Sequence, residues 1–351
     1  MPQKVLVTGG CGFLGTHVCE RFRQEGWDVV AYDNLTKYEL ARTGYRVDSV
    51  RASMLAFLDS IGVRVAVEDI RDAEALLDHS EGVDFIVHTA AQPAMTIGWD
   101  DPRLDLETNV LGTFNVLEAA RRRKVPVASC STIHVYGTGI NASLREAATR
   151  YEREPAAIDE RHPVLTGTLT PLHASKHALE VYSTTYADTY GVAAAAFRYT
   201  GIYGPRQFGG EDHGWVANFA IRLLLGLPIR IFGSGKQVRD ILFATDAAQA
   251  FVDYARHPNP GVYAIGGGPE HAISLRESVR LMEEISGRRA DMRFEDERFG
   301  DLRYFVSDTT RARSSFGFVP RVTPRDGVAR LLAWAESMTA LLAPDVLAQR
   351  P

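Results

Sequence analysis

Apolar residues fall along the first 200 positions in short runs separated by longer amphipathic stretches. Residues 4–8 (KVLVT) are a β-branched run without polar alternation, the pattern of a strand covered on both faces. Strands are also read at 28–32, 63–68, 84–89, 126–131 and 192–198, and helices at 13–25, 73–79, 108–124 and 175–190. Strands alternating with helices build right-handed βαβ units on a parallel sheet. The second half is less regular. A glycine-rich loop at 201–214 precedes a helix at 215–225 and a strand at 229–232. Residues 240–246 lead into a helix at 247–255, and further helices are read at 274–286 and 325–343. The predicted fold is α/β: a Rossmann-type, doubly wound parallel sheet with a smaller, interleaved α/β substrate domain. Residues 1–200 plus about 236–262 form the first domain, and about 201–235 plus 263–351 the second.

Composition narrows the classes. The chain has 351 residues, 45% hydrophobic and 24% charged, an ordinary globular balance. Its 39 Lys+Arg against 44 Asp+Glu give a net charge of −5, with no basic surface for nucleic acid or anionic lipid. Cys11, Cys19 and Cys130 are odd in number and form no CxxC pair. That excludes a disulfide framework and a Cys-rich metal site, and fits a reducing cytosol. The apolar runs fall short of the ~18–20 residues of a membrane span, and the N-terminus enters a strand at once rather than a signal peptide. The expected location is cytoplasmic.

The first chemical motif follows the first strand. Gly9, Gly12 and Gly15 stand at GxxGxxG spacing before a helix, where glycine permits a tight turn and close approach to a pyrophosphate. The anion would lie at the helix N-terminus, facing Phe13 and Leu14. Asp33 ends the second strand, where a carboxylate binds both ribose hydroxyls of NAD and repels the 2′-phosphate of NADP. Asn34 and Leu35 follow it, not arginine, so NAD is the expected cofactor.

With these residues in place, the sequence resembles the extended short-chain dehydrogenase/reductases, the group of nucleotide-sugar epimerases and dehydratases. The resemblance spans nearly the whole chain. It rests on residues 9–15, 33–35, 69–71, 88–92, Asn109 with Gly112 and Thr113, 131–137, Ser175 and Lys176, and 203–207. It implies that Asp69 and Ile70 flank the adenine, and that Ala90, Ala91 and Gln92 line the pyrophosphate and nicotinamide side. Asn109 and Thr200 join the cofactor-binding set. Thr132 would hydrogen-bond the reacting sugar hydroxyl, Lys176 would hold the nicotinamide ribose, and Arg239 would bind a phosphate of a nucleotide-diphosphate sugar. Gln92, His173, Tyr199, Arg206, Gln207 and Trp215 complete the substrate set. Segments 206–216 and 236–240 look closest to the CDP-paratose/CDP-tyvelose 2-epimerases, which oxidise C2 with bound NAD and return hydride to the other face. Relatives commonly dimerise through two helices per subunit, which here would be 108–124 and 175–190.

The sequence departs from the family at one decisive place. The catalytic pair is Tyr-x-x-x-Lys, yet Leu172 stands four residues before Lys176. Leucine accepts no proton, and a general base is commonly worth ~10²–10⁴ in rate. His134, two positions after Thr132 on the same side of an extended segment, ranks first as the replacement. Lys176 with a lowered pKa ranks second, and His173, turned from Leu172 by one helical step, third. His88 reads as a core histidine, and Trp215 with Phe219 as core more than a base-stacking platform. Three functions follow: an active epimerase, a different nucleotide-sugar reaction such as 4-epimerisation, decarboxylation or dehydration, or a silent binder of NAD and sugar nucleotides.

Overall fold

The computed structural model describes residues 2–36, 40, 44–339 and 341. A seven-stranded sheet runs through β1 (Lys4–Thr8), β2 (Asp28–Tyr32), β3 (Arg64–Ala66), β4 (Phe85–His88), β5 (Val127–Thr132), β6 (Ala194–Tyr199) and β7 (Gly261–Ile265). Its spatial order is β7-β6-β5-β4-β1-β2-β3, with every pairing parallel. The order reverses between β1 and β4, where Thr8 lies opposite His88. A crevice opens at the carboxyl ends of the strands at such a reversal.

The longer helices are α1 (Phe13–Gln24), α2 (Val47–Ser60), α3 (Ala73–His79), α4 (Gly112–Arg123), α5 (Pro171–Tyr190), α6 (Trp215–Leu224), α7 (Ala244–Arg256), α8 (Leu275–Ser286), α9 (Thr310–Phe316) and α10 (Pro324–Ser337). The uniform apolar run of β1 is explained by helices on both sides. Val5 and Val7 pack with Val18 and Phe22 of α1 and Phe251 of α7. Leu6 faces the other way, onto Leu76 of α3, Val116 of α4 and Tyr186 of α5. Burying each such side chain contributes roughly 1.5–3 kcal/mol. A second cluster gathers Val216, Phe219, Ile229, Val279 and Leu331 around α6, α8 and α10.

Several elements differ from the sequence reading, with strand β7 and helix α9 among the segments it did not assign. Helix α2 went unread, although Val50, Met54 and Leu58 recur at four-residue steps and are buried. Helix α5 starts at Pro171 rather than 175, because Thr170 caps it and proline suits the first helical position. The helix expected at 108–124 opens as a π-helix over Asp105–Leu111 before α4. Val238–Asp240, running into the segment read as leading into a helix, is a strand of a separate three-stranded sheet, paired with Ala272–Ser274 and Tyr304–Phe305. The late strand of the main sheet is β7, reached through α7. Positions 340, 342 and 343 of the last expected helix lie outside the described residues. Among the described residues no helix is long and apolar enough to cross a membrane.

A buried ion pair ties α5 to β6. Glu180 accepts two hydrogen bonds from Arg198, at 2.9 and 2.8 Å, and a third from Ser131 Oγ at 2.7 Å. Burial alone would raise the Glu180 pKa, but the neighbouring His177, these bonds and the Arg198 charge hold it below its usual value. Removing one partner strands a buried charge. Arg198→Met is therefore expected to cost roughly 3–5 kcal/mol in urea unfolding, and Glu180→Leu/Arg198→Met to recover much of that loss. A double variant no more stable than the single one would show that the pair is not coupled.

Several histidines are buried in neutral form. His88 bridges Thr8 Oγ1 at 2.8 Å and Thr113 Oγ1 at 3.1 Å, so it is a core residue. Burial, then the Lys176 charge, pushes its pKa down to about 3. Burial, then Arg206, does the same for His17, to about 3. An unfolded histidine titrates near ~6.5 and takes up protons first, so this stability is present above that pH and is lost as pH falls toward the folded values. The stability of the wild-type protein should be flat from pH 8 to 7 and decline below 6.5. His88→Asn lacks one such group, so its deficit should shrink by up to ~1.4 kcal/mol per pH unit between pH 6 and 4.5. An equal deficit at both ends of that range would contradict the burial of a neutral His88.

Candidate active site

A cavity of about 360 Å³ lies at the carboxyl ends of the strands, over the β1–β4 reversal. Its floor is the glycine loop. Gly9 has a left-handed φ of +69°, and a Cβ there would stand 2.6 Å from the Ala90 nitrogen. A Cβ on Gly15 would stand 2.0 Å from the Gly9 carbonyl oxygen. Both positions therefore admit only glycine without a backbone shift. At Gly12 the single near neighbour of a Cβ would be the Gly9 oxygen, at 3.1 Å, and the other side is open. Phe13, Leu14 and Gly15 line the cavity at the first turn of α1, where backbone amides lie outside the helical ladder. An anionic group suits that place. Asp33 sits on the wall with its carboxylate fixed, Oδ2 accepting from the Cys11 amide at 2.9 Å and Oδ1 from the Leu35 amide at 2.7 Å. A dinucleotide fits this cradle: backbone without side chains under a pyrophosphate, and a carboxylate in reach of a ribose.

Of the other positions expected to hold the cofactor, Asn34, Ile70, Ala90, Ala91 and Thr200 also line the cavity. Asp69, Gln92 and Asn109 stand behind it. Asp69 pairs with Arg71 at 2.7 Å and accepts from Asn34 at 2.9 Å. Gln92 is fully buried, its Nε2 donating to Asp105 at 2.6 Å. Asn109 accepts from the Gln92 amide at 2.8 Å and donates to Ser175 Oγ at 3.0 Å, linking the loop after β4 to the start of α5.

The inner wall brings together Thr132, His134, Leu172 and Lys176. Thr132 and His134 share this wall by a route other than the expected extended one: β5 ends at Thr132, and Ile133–Tyr136 forms a 3₁₀ turn. Thr132 Oγ1 accepts the His134 amide at 3.2 Å, which leaves its own proton to donate. Lys176 Nζ donates to the Cys130 carbonyl at 2.8 Å. Burial lowers the Lys176 pKa from its usual value, against the pull of Cys130 and Asp105. Burial, then His173, then Arg239, push His134 down to about 3, so its imidazole is neutral at pH 7.

The expected substrate residues divide. Tyr199, Arg206 and Gln207 line the cavity, although Tyr199 donates its hydroxyl proton to the Ala247 carbonyl at 2.8 Å. Arg206 is held against α1 and α2, 2.8 Å from His17 Nδ1, 2.5 Å from Glu20, and 4.0 Å over the Phe57 ring. His173, Trp215 and Arg239 lie off the wall. Arg239 donates to the carbonyls of Val238 and Leu302, at 2.8 and 2.6 Å. Trp215 packs edge-on against Phe219 at 5.6 Å. His173 is fully buried, and its Nδ1 accepts from the Thr170 amide at 3.1 Å. Lining residues absent from the sequence reading include Val50 and Met54 of α2, Cys130, Phe208 and His213. Val50 and Met54 carried a helical-spacing signal, and Phe208 and His213 lay in the 206–216 segment of the resemblance without being singled out.

Comparison with known proteins gives this geometry its relatives. Residues 5–266 match the family described as "NAD dependent epimerase/dehydratase family". The CDP-paratose 2-epimerase of Salmonella typhi is 33% identical over 96% of this chain and 100% of its own length. The UDP-glucose 4-epimerase of Mycolicibacterium smegmatis is 32% identical over 93% of this chain and 97% of its own. Among solved structures, the UDP-glucose 4-epimerase of Thermus thermophilus in complex with NAD superposes with a TM-score of 0.77 at 29% identity, over 95% of this chain and 99% of its own. A match that runs from β1 to β7, over a glycine cradle shaped for a dinucleotide, is enough to conclude that this chain belongs to the NAD dependent epimerase/dehydratase family.

Proposed function

We propose that the protein inverts C2 of a CDP-activated sugar through a transient ketone, with a group other than tyrosine moving the proton. One observation carries this reading: Thr132, His134 and Lys176 converge on the same cavity as Gly12 and Asp33, with Leu172 beside them. A decayed site need keep neither Thr132 nor Lys176. Bound NAD supplies the hydride acceptor and donor. Thr132 offers its hydroxyl proton to the sugar oxygen, and Lys176 and His134 stand in for the missing phenol. Asp33, Asn34 and the amides of α1 hold the cofactor, with Asp69, Gln92 and Asn109 bracing them from behind. Arg206 and Gln207 face the nucleotide sugar, with Arg239, Trp215 and His173 supporting that side. The choice of C2 and of a CDP-sugar rests on the 33% identity to a CDP-paratose 2-epimerase and on segments 206–216 and 236–240. A second reading, C4 inversion of a UDP-sugar, draws on relatives described as UDP-glucose 4-epimerases.

The protein works in the cytoplasm on a soluble nucleotide-diphosphate sugar, without nucleic acid or membrane. It is a homodimer. Leu111 and Phe114 beside and on α4, and Val181, Tyr182 and Tyr190 on α5, are exposed apolar residues of two adjacent helices. Phe114 and Tyr182 touch edge to face at 6.3 Å, so the patch is continuous. A contiguous apolar face of this kind marks an interface. Light scattering should give two chains for the wild type and one for Tyr182→Glu; a monomeric wild type would remove the dimer.

The function is tested by incubating the purified holoprotein with CDP-, UDP-, GDP- and dTDP-sugars in deuterated buffer and following ring protons by NMR. The expected product is a C2 diastereomer of a CDP-sugar with no solvent deuterium at the inverted carbon, because the hydride is returned rather than exchanged. A C4 diastereomer of a UDP-sugar supports the second reading. No change with any sugar, in protein that holds NAD, leaves a silent binder. In active protein, His134→Ala should lower kcat/KM by roughly 10²-fold or more, and wild-type turnover in that variant would remove His134 from the catalytic groups.

A further inference from the structure

His134 and His173 stand edge to face, with ring centroids 5.6 Å apart and planes at 83°. The hydrogen bonds around them restrict where their protons can lie. The Thr170 backbone amide can only donate, and it donates to His173 Nδ1 at 3.1 Å. That nitrogen is therefore an acceptor, and neutral His173 carries its proton on Nε2. Thr170 Oγ1 lies 2.6 Å from the same Nδ1, so the ring is held as part of the helix cap. Among the described residues, His173 Nε2 is buried without a partner, and so is His134 Nδ1. A buried donor and a buried acceptor in touching rings satisfy one another only one way. A small ring rotation, or one water donating onward, carries the His173 Nε2 proton to a lone pair on His134 Nδ1. Neutral His134 must then hold its own proton on Nε2.

We propose that Thr170, His173 and His134 form a hydrogen-bonded chain that fixes His134 in the Nε2–H form, so that it donates a hydrogen bond to the reacting sugar oxygen instead of removing its proton. This rests on the nucleotide-sugar reading above and divides the labour within it. His173, off the cavity wall, is a positioning residue; His134 and Thr132 are paired donors to one oxygen. Lys176 is the proton acceptor. Burial favours the deprotonated form of Lys176, whose Nζ would take the proton as the O–H bond breaks, and NAD held by Asp33 and the α1 amides would supply the hydride acceptor and donor. Arg239 near His134 acts in the same direction, since a cation there disfavours the imidazolium a base would become. A neutral imidazole held as a donor is a good partner for charge developing on an oxygen.

Two measurements test this. Long-range ¹H–¹⁵N spectra of histidine-labelled protein, with signals assigned through His134→Gln and His173→Asn, read the tautomers without any turnover. His173→Asn keeps a side-chain oxygen for the Thr170 amide, so the cap and the fold survive. Both rings are expected in the Nε2–H form, and His134 is expected to become a tautomer mixture in His173→Asn. His134 protonated on Nδ1 in the wild type, or unchanged in His173→Asn, overturns the chain. The second measurement is kcat/KM on whichever sugar is turned over. His134→Gln, which retains a donor, should stay within ~10-fold of wild type, whereas His134→Ala and His134→Glu should fall by at least ~10²-fold. Glutamate active and glutamine dead would make His134 a base. If no nucleotide sugar reacts at all, the functional reading fails, and the spectra still decide the chain by themselves.

Discussion

The close approach of the glycine loop to the ends of β1 and β4 sets the rest of the structure. Gly15 lies against the Gly9 carbonyl and Gly9 against the Ala90 backbone, each nearer than a Cβ would allow. That contact aims the N-terminus of α1 into the crevice where the sheet order reverses. It also brings Asp33 close enough to the loop to accept the Cys11 amide, which fastens β2 to the same floor. Everything placed around the cavity, from Thr132 to Arg206, is referred to this fixed edge.

The electrostatics follow from burial more than from net charge. An overall charge of −5 is compatible with two anionic ligands because local amides and a few held cations supply the field. Arg206, on the cavity wall, is fastened to Glu20 before any ligand arrives, whereas Arg239 lies behind the wall on backbone carbonyls and acts only through its field. The same dry interior keeps His17, His88, His134 and His173 neutral. The rings beside the cavity are therefore uncharged imidazoles at neutral pH.

Leu172 stands on the cavity wall four residues before Lys176. Lys176 remains anchored on the Cys130 carbonyl, and Thr132 keeps a free proton. Beneath them, Glu180 grips both Ser131 and Arg198, so the end of β5 is braced from the α5 side. Two histidines, His134 and His173, pack edge to face beside this wall.

Short-range order could be read directly from the residues. The β-branched runs at 4–8 and 28–32, the glycine spacing after β1 and Asp33 at the end of β2 each express a local requirement: two-sided burial, a tight turn, a carboxylate at a strand end. Leu172 was likewise legible, because its four-residue spacing from Lys176 is a local fact. Position relative to other elements was not. Whether Gln92 and Arg239 face the cavity depends on what packs behind them, and Asp105 and the Leu302 carbonyl took them out of reach. The 3₁₀ turn after Thr132 and the cap formed by Thr170 with His173 arise from hydrogen bonds that apolar spacing does not encode. Sequence by itself determined six of the seven strands of the main sheet, the cofactor loop and the spacing of Leu172 from Lys176, since each is specified within a few residues. Only the tertiary structure decided which polar side chains meet, because partners such as His134 and His173 lie on separate segments and come together only once β5 and α5 are packed.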